Sequence, residues 1–286
     1  MGREIAAVLA EDPRLTLGAA FESPHSPLLG RSVSGFPEIV YEPLSESALN
    51  ACSVGIDFSL PEGLRATVDA FRSARLPLVV GTTGLSPDDR DYVRKAGDEI
   101  PILWSPNMSL GVNLLAILAG QAARSLGGFD CEILEIHHRH KKDAPSGTAL
   151  FLGEAVAQAR NQLLSQTGVF VRHGLTGERE EDAIGVMALR GGDVPGDHTV
   201  FFLGPGERLE LTHRAGSRVV FARGAVTGAA FLLGRPPGFA TMADVLLGGE
   251  RPEESVPFPG RPARRERAIF LSAIAGAGRD ASSADA

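Results

Sequence analysis

The sequence predicts an α/β chain of two domains: a doubly wound parallel sheet, then an α+β domain with a mixed or antiparallel sheet. Three observations predict this. Up to about residue 104, short apolar strands alternate with helices, the pattern of a parallel sheet. Beyond about residue 108 the order changes to a long apolar helix, an alternating strand, another helix and three strand-like runs. With 286 residues and 43% apolar content, there is material for two cores.

The elements follow in order. Ile5, Val8 and Leu9 give an opening helix one apolar face, and Asp12-Pro13 ends it. Leu15 to Phe21 reads as a buried strand closed by Glu22. Residues 24–47 are rich in Pro, Gly and Ser and read as loop with at most a short strand. Val54 to Ser59 is a strand, and a helix of about 15 residues starts at Pro61. Pro77 to Gly81 is a strand running into Thr82-Thr83-Gly84. The next helix is capped by Ser86 with acids in its first turn, and Ile100 to Trp104 is the next strand. A long apolar helix covers about Gly111 to Leu126. Asp130 to His138 alternates, with Cys131, Ile133, Glu135 and His137 on one face. A helix runs from about Ser146 to Leu164. Strands follow at Ile184 to Arg190, His198 to Leu203 and Glu207 to His213. Val219 to Leu233 returns to the first domain. The expected division is 1–108 plus about 219–250 for a dinucleotide-binding domain and 109–218 for a substrate-binding and oligomerisation domain. Residues 251–286 read as a disordered tail with a short helix at Arg265 to Ala275.

Composition excludes several classes. A net charge of −7 argues against a general nucleic-acid binder, which needs a basic field. No apolar run approaches the roughly 20 residues of a membrane span, and the first residues lack the layout of a signal peptide. Cys52 and Cys131 stand far apart in no metal-like spacing and read as free thiols of a reducing cytoplasm.

A doubly wound nucleotide fold needs a strand and a glycine-rich turn ahead of its first helix. Here the first helix opens the sequence, and only Gly2 could belong to such a turn. Glu22 sits where the ribose-binding carboxylate of a dinucleotide site belongs; an ordinary surface acid is the other reading.

The stretch carrying chemistry is His137 to Thr148, HHRHKKDAPSGT. Its cations suit a substrate with more than one carboxylate. Ser146-Gly147-Thr148 starts a helix, whose free N–H groups and positive end favour an anion. Histidine exchanges protons near neutral pH. A solvated basic loop and a three-histidine metal site are the rival readings. No carboxylate or cysteine at a familiar spacing supports the metal, and none is expected.

EILEIHHRHKKDAPSGTAL from Glu132 closely resembles the signature of the 4-hydroxy-tetrahydrodipicolinate (dihydrodipicolinate) reductase family of the diaminopimelate route to lysine. The resemblance covers nearly the whole chain up to about Gly248. It includes IDFSLPE from Ile56, VVGTTGLS from Val79, SPNMSLGVN from Ser105, LTGER from Leu175, RGGDVPGDHTVFF from Arg190 and ERLELTHRAGSR from Glu207. It implies a Rossmann-like first domain and NAD(P)H-dependent reduction of a cyclic imine dicarboxylate by a cytoplasmic homotetramer. It further implies His137 as proton donor and acceptor and Lys141 as second proton donor. His138, Ser146, Gly147 and Thr148 would bind the substrate carboxylates. Gly2, Arg3, Glu22, Gly81, Thr82, Thr83 and the run Ser105, Pro106, Asn107 and Met108 would hold the cofactor.

Two departures from the family pattern stand out. Met1-Gly2-Arg3 matches only the end of the family's phosphate loop, so a strand and most of that loop are expected upstream of a start assigned too late. A true truncation, leaving a catalytically impaired dicarboxylate-binding relative, is the alternative. Glu22 is followed by Ser23, where some relatives place a cation for the 2′-phosphate of NADPH, which leans the expectation toward NADH.

Overall fold

The structure is a computed structural model describing residues 1–50, 52–248 and 266–272. In chain order the elements are α1 (Gly2–Glu11), β1 (Leu15–Phe21), β2 (Ser32–Val33), β3 (Phe36–Glu42), α2 (Glu46–Leu49), β4 (Val54–Phe58), α3 (Pro61–Ala74), β5 (Leu78–Val80), α4 (Pro87–Ala96), β6 (Pro101–Trp104) and α5 (Leu110–Ser125). They continue with β7 (Asp130–His137), α6 (Gly147–Ala159), α7 (Leu164–Thr167), β8 (Gly168–Val169), β9 (Ile184–Arg190), β10 (Asp197–Gly204), β11 (Glu207–Arg214), α8 (Val219–Leu232), β12 (Gly238–Ala240), α9 (Met242–Leu247) and β13 (Glu266–Ser272).

The elements form two compact units. The first holds Met1–Trp104, Ala225–Ala240 and β13; the second holds Ser105–Gly224 and α9. In the first, eight strands lie in the order β12-β6-β5-β4-β13-β1-β3-β2. All are parallel to their neighbours except β2, which runs antiparallel to β3. The middle of a parallel sheet is covered on both faces, so β4 is buried at Val54, Gly55, Ile56 and Asp57 rather than alternating. Leu64, Val68 and Phe71 of α3 and Val93 of α4 pack with Phe21, Leu78, Val80 and Ile102 to form its core. Pro61 begins α3, and the Ser86 hydroxyl accepts from the Asp89 N–H at 3.1 Å to cap α4.

The second unit has a five-stranded sheet in the order β11-β10-β7-β9-β8. β10 is antiparallel to both its neighbours, whereas β7, β9 and β8 run parallel. Helices α5 and α6 lie on this sheet, burying Ala119, Leu152 and Val156 against Ile133, Val186, Val200 and Phe202. The strict alternation of β7 puts Cys131, Ile133, Glu135 and His137 inward.

Several expectations are corrected. Residues 24–47 contain β3, a seven-residue strand, where loop with at most a short strand was expected. It lies toward the sheet edge, which tolerates Pro37. The helix expected from Ser146 to Leu164 stops at Ala159, and Asn161 turns left-handed before α7. Glu266–Ser272 form a strand where a tail with a short helix was expected. A short apolar run cannot be told from a helix by periodicity, and here the sheet decides. The remainder of the expected tail, 251–265 and 273–286, lies outside the described residues.

Candidate active site

The second unit builds the acid–base cluster. β7 carries Glu135 and His137 on its inner face, two residues apart, so both side chains project to the same side. The Glu135 carboxylate is fully buried and hydrogen-bonds the Nδ1 of His137. Arg190, paired with His137 at the end of β9, grips the same carboxylate with both terminal nitrogens, each at 2.9 Å. The backbone N–H of Ser146 gives Glu135 a further bond at 3.0 Å. Burial pushes the Glu135 carboxyl up, but Arg190, His137 and Ser146 together bring it below its ordinary value, so it stays ionised.

That carboxylate fixes His137. Nδ1 keeps its proton toward Glu135, which leaves Nε2 to exchange protons. Burial lowers the His137 pKa, while Glu135 opposes the shift. The Nε2 atom lies against Gly196, where a Cβ would come within 2.9 Å of it, so only glycine lets β10 enter there without crowding the ring. His198 of β10 meets His137 edge-on with ring centroids 5.1 Å apart. Burial, with His137 beside it, holds His198 down at about 4, so it is neutral near pH 7.

Ser146 joins this cluster to α6. Its hydroxyl caps the helix by accepting from Ala149 N–H at 3.1 Å and lies 3.2 Å from His198 Nε2. The first-turn N–H groups of Gly147 and Thr148 point out of the helix end, where a carboxylate is favoured. The Thr148 hydroxyl accepts from the Asn107 amide at 2.9 Å. Ser105, Pro106, Asn107 and Met108 form a tight turn before α5: the Ser105 hydroxyl donates to the Asn107 carbonyl at 2.6 Å, and the Asn107 side chain accepts from Ser109 N–H at 2.8 Å. Met108 is buried. Lys141 forms an ion pair with Asp143 at 2.9 Å, and the ring of His138 lies 6.2 Å from that of His140.

The three side chains of Glu135, His137 and His198 offer ligand atoms within 4.8 Å of one another, a spacing a metal ion could use. Arg190 already occupies both oxygens of Glu135, so the arrangement serves proton exchange better than cation binding.

In the first unit, parallel strands bring Glu22, Ser59 and Gly81 to one edge of the sheet, each just past its strand. Glu22 is buried, and its N–H bonds the Glu42 carbonyl at 3.0 Å. The Tyr41 phenol, pushed up by burial, also feels Arg3 pulling it down and Glu22 pushing it up, which puts all three at one corner. Gly2 is buried in the first turn of α1 and Arg3 is exposed. Gly81 donates to the Asp57 carbonyl at 2.7 Å and packs on the Phe58 ring, where a Cβ would clash. Thr82 is buried, its hydroxyl lying 3.1 Å from the Asp57 carboxyl and 3.2 Å from the Ser59 carbonyl, whereas Thr83 is exposed. The donor set fits a dinucleotide: a carboxylate past the strand next to the sheet centre suits ribose hydroxyls, and the carboxyl edge of such a sheet is where these ligands lie. Both thiols are buried, with Cys52 raised to about 11 and Cys131 to about 12, and neither is a nucleophile.

Of the expected residues, the structure gathers His137 and Ser146 into one cluster and ties Asn107 to Thr148. It engages Lys141 with Asp143 and uses the Thr82 side chain to hold the β4 and β5 ends together. Glu135, Arg190 and His198 escaped sequence reasoning as site residues. A signal for Glu135 existed, because a glutamate on the inward face of a buried strand demands a cationic partner.

The family model described as "Dihydrodipicolinate reductase, N-terminus" matches residues 1–108, and the one described as "Dihydrodipicolinate reductase, C-terminus" matches 111–246. The 4-hydroxy-tetrahydrodipicolinate reductase of Nitrosomonas europaea is 46% identical over 251 residues, covering 86% of this chain and 94% of its own. That of Anaeromyxobacter dehalogenans is 47% identical over 253 residues, covering 86% and 93%. Among solved structures, a dipicolinate-bound dihydrodipicolinate reductase from Paenisporosarcina sp. TG-14 matches with a TM-score of 0.64 at 22% identity, covering 84% of this chain and 92% of its own; it supports the fold.

Proposed function

The chain belongs to the dihydrodipicolinate reductase family, and from this we propose that it is an NAD(P)H-dependent oxidoreductase reducing 4-hydroxy-tetrahydrodipicolinate, or the dihydrodipicolinate derived from it, to tetrahydrodipicolinate in lysine biosynthesis. The observation that carries this reading is the Arg190–Glu135–His137 chain, buried at Glu135 and His137, beside the head of α6. It holds one imidazole nitrogen ready for proton transfer next to a helix end that favours a carboxylate.

The nicotinamide, when bound, supplies the hydride. The residues of this chain do the rest. Glu22 would accept from ribose hydroxyls, with Gly2, Arg3, Gly81, Thr82, Thr83 and the Ser105–Met108 turn completing the cofactor-binding set. Gly147, Thr148, Ser146 and His138 would hold the substrate carboxylates, Thr148 being oriented by Asn107. Two negative carboxylates near His137 oppose the effect of burial and raise its readiness to take a proton. His137 then gives or accepts the proton at Nε2, and Lys141, released from Asp143, is the second donor. Ser23, carrying no cation beside Glu22, favours NADH over NADPH.

Among the described residues no helix is long and apolar enough to cross a membrane. We place the enzyme in the cytoplasm as a homotetramer joined through the second sheet, where Leu203 of β10 and Leu209 of β11 are exposed.

The test is NAD(P)H oxidation with the cyclic dicarboxylate as substrate. His137→Ala and Lys141→Ala should each lower turnover by on the order of 10²–10⁴. Unchanged rates would remove these roles. A wild-type chain that binds dicarboxylate but oxidises neither nucleotide would instead be a binding module.

A further inference from the structure

His137 has a task in the reaction, but the second histidine buried on the same face has none. β10 alternates, so His198, Val200 and Phe202 face inward. Across the sheet His198 stands opposite Glu135 of β7 on one side and His213 of β11 on the other. It is buried, and among the described residues its Nδ1 has no hydrogen-bond partner. Its Nε2 lies 3.2 Å from the Ser146 hydroxyl, which is buried with it. Burial and the nearby His137 keep the ring neutral near pH 7, so it carries a single N–H.

That one proton has two places to sit. If Nε2 accepts from the Ser146 O–H, the ring proton is on Nδ1, a buried donor with nothing to bond. If Nε2–H donates to Ser146 Oγ, only a ring lone pair at Nδ1 stays unpaired. Orphaned buried N–H groups are rare and under-satisfied acceptors less so, which favours the second arrangement.

The consequence falls on Ser146. A hydroxyl has two acceptor lone pairs and one proton. Ser146 Oγ already accepts from the Ala149 N–H at 3.1 Å, which caps α6. With His198 Nε2–H on the second lone pair, the hydroxyl can accept nothing more. Its proton is then committed to an acceptor outside this pair, at the helix end where the Gly147 and Thr148 N–H groups also favour an anion.

We propose that His198 is a positioning residue for carboxylate binding: its Nε2–H holds the Ser146 hydroxyl as a donor, so that the Ser146 proton goes to a carboxylate of the substrate. His198 itself touches no substrate and exchanges no proton. This rests on the reading of the head of α6 as the carboxylate site. It separates the two buried histidines by role, His137 for proton transfer and His198 for the direction of one hydrogen bond.

The test uses the full chain. Nitrogen-15 NMR of the histidine rings, with the His198 signals assigned by their loss in His198→Gln, should show the proton on Nε2 and a bare Nδ1. A proton on Nδ1 overturns the proposal. Dipicolinate, a dicarboxylate probe, should bind at least about tenfold more weakly to His198→Phe, whose ring is of similar size but has no N–H. Ser146→Ala should lose as much, and the double variant should fall no more than about twofold below either, because the two side chains act through one hydrogen bond. Losses that multiply in the double variant assign His198 to packing and overturn the proposal, as does a His198→Phe affinity within about twofold of wild type. His198→Gln, whose amide nitrogen can stand where Nε2 does, should bind dipicolinate within about threefold of wild type. If His198→Phe does not fold, a tenfold or larger loss in folded His198→Gln, roughly that of a missing hydrogen bond to a charge, overturns the proposal in its place. A wild-type chain that binds no dipicolinate defeats the carboxylate reading and the proposal together. Tight binding that depends on Ser146, with the ring proton on Nδ1, defeats the proposal alone.

Discussion

Replacing Glu135 by Gln isolates what the buried carboxylate does. The two side chains have nearly the same shape, so the substitution removes charge and half of the acceptor capacity and little else. Arg190 loses its two-pronged carboxylate partner, at 2.9 Å on each nitrogen, but keeps the Asp143 and Leu189 carbonyls at 2.6 Å. Charge-assisted bonds are worth about 1.5–3 kcal/mol each, and an amide oxygen recovers part of one, so stability should fall by roughly 2–3 kcal/mol. The effect on turnover is separate. The amide introduced by Glu135→Gln can present its N–H to His137 Nδ1, which drives the ring proton to Nε2 and spoils the exchange there. A general acid–base group is worth 10²–10⁴, and losing control of its tautomer should cost about 10²-fold, or about 2.7 kcal/mol. Burial lowers the His137 pKa and Glu135 holds it up, so the variant's pKa falls further. If protonated His137 is the donor, activity is lost as pH rises through that pKa, and the loss should move to lower pH. The assay is the pH profile of NADH oxidation, with circular dichroism to verify folding. A folded Glu135→Gln protein with kcat within threefold of wild type and an unmoved basic limb would refute the reasoning.

Other outcomes follow from the same structure. Asp143 is 61% exposed and its carboxyl is lowered by the bond to Lys141, so Asp143→Asn should change stability by under about 1 kcal/mol in thermal melts, and less at high salt. His198 is held at about 4 against an ordinary 6.5, so it stays neutral in the folded state while the unfolded chain takes up a proton. Stability is intact above pH 6.5 and declines by about 3 kcal/mol as pH falls toward 4. His198→Asn should flatten that decline in urea titrations across the range. Gly224→Ala would drive a Cβ into the Met108 carbonyl, and the backbone of the turn must move; a loss of about 3 kcal/mol or more is expected in denaturant unfolding.

How much of this was legible in the sequence depended on the range of the interaction. The inward face of β7 was readable, because alternation over eight residues is a local signal that fixes which way Glu135 and His137 point. The cap at Ser146 was readable for the same reason. The partners of that face were not. Arg190 lies 55 residues from Glu135, and His198 lies 52 from Ser146, so neither pairing leaves a local trace. Lys141 is legible as a charge, but its bond to Asp143 is set by the loop conformation. The sequence from Glu266 to Ser272 was misjudged for a related reason: its charged and proline-rich surroundings outweighed seven residues whose strand identity comes from β1 and β4.

The position of β13 also sets the timing of folding. Residues 266–272 leave the ribosome after every strand they pair with, and their register joins Leu15 to a residue roughly 250 positions later. Contacts that distant are slow to form. The second unit, whose sheet lies wholly between residues 130 and 214, can complete itself first. Until residues 266–272 have been made, the nascent chain carries β1 and β4 as open edges on either side of a gap, and such edges are templates for pairing with other chains. Chaperone dependence and aggregation on translational stalling should therefore concentrate in the nucleotide half of the molecule.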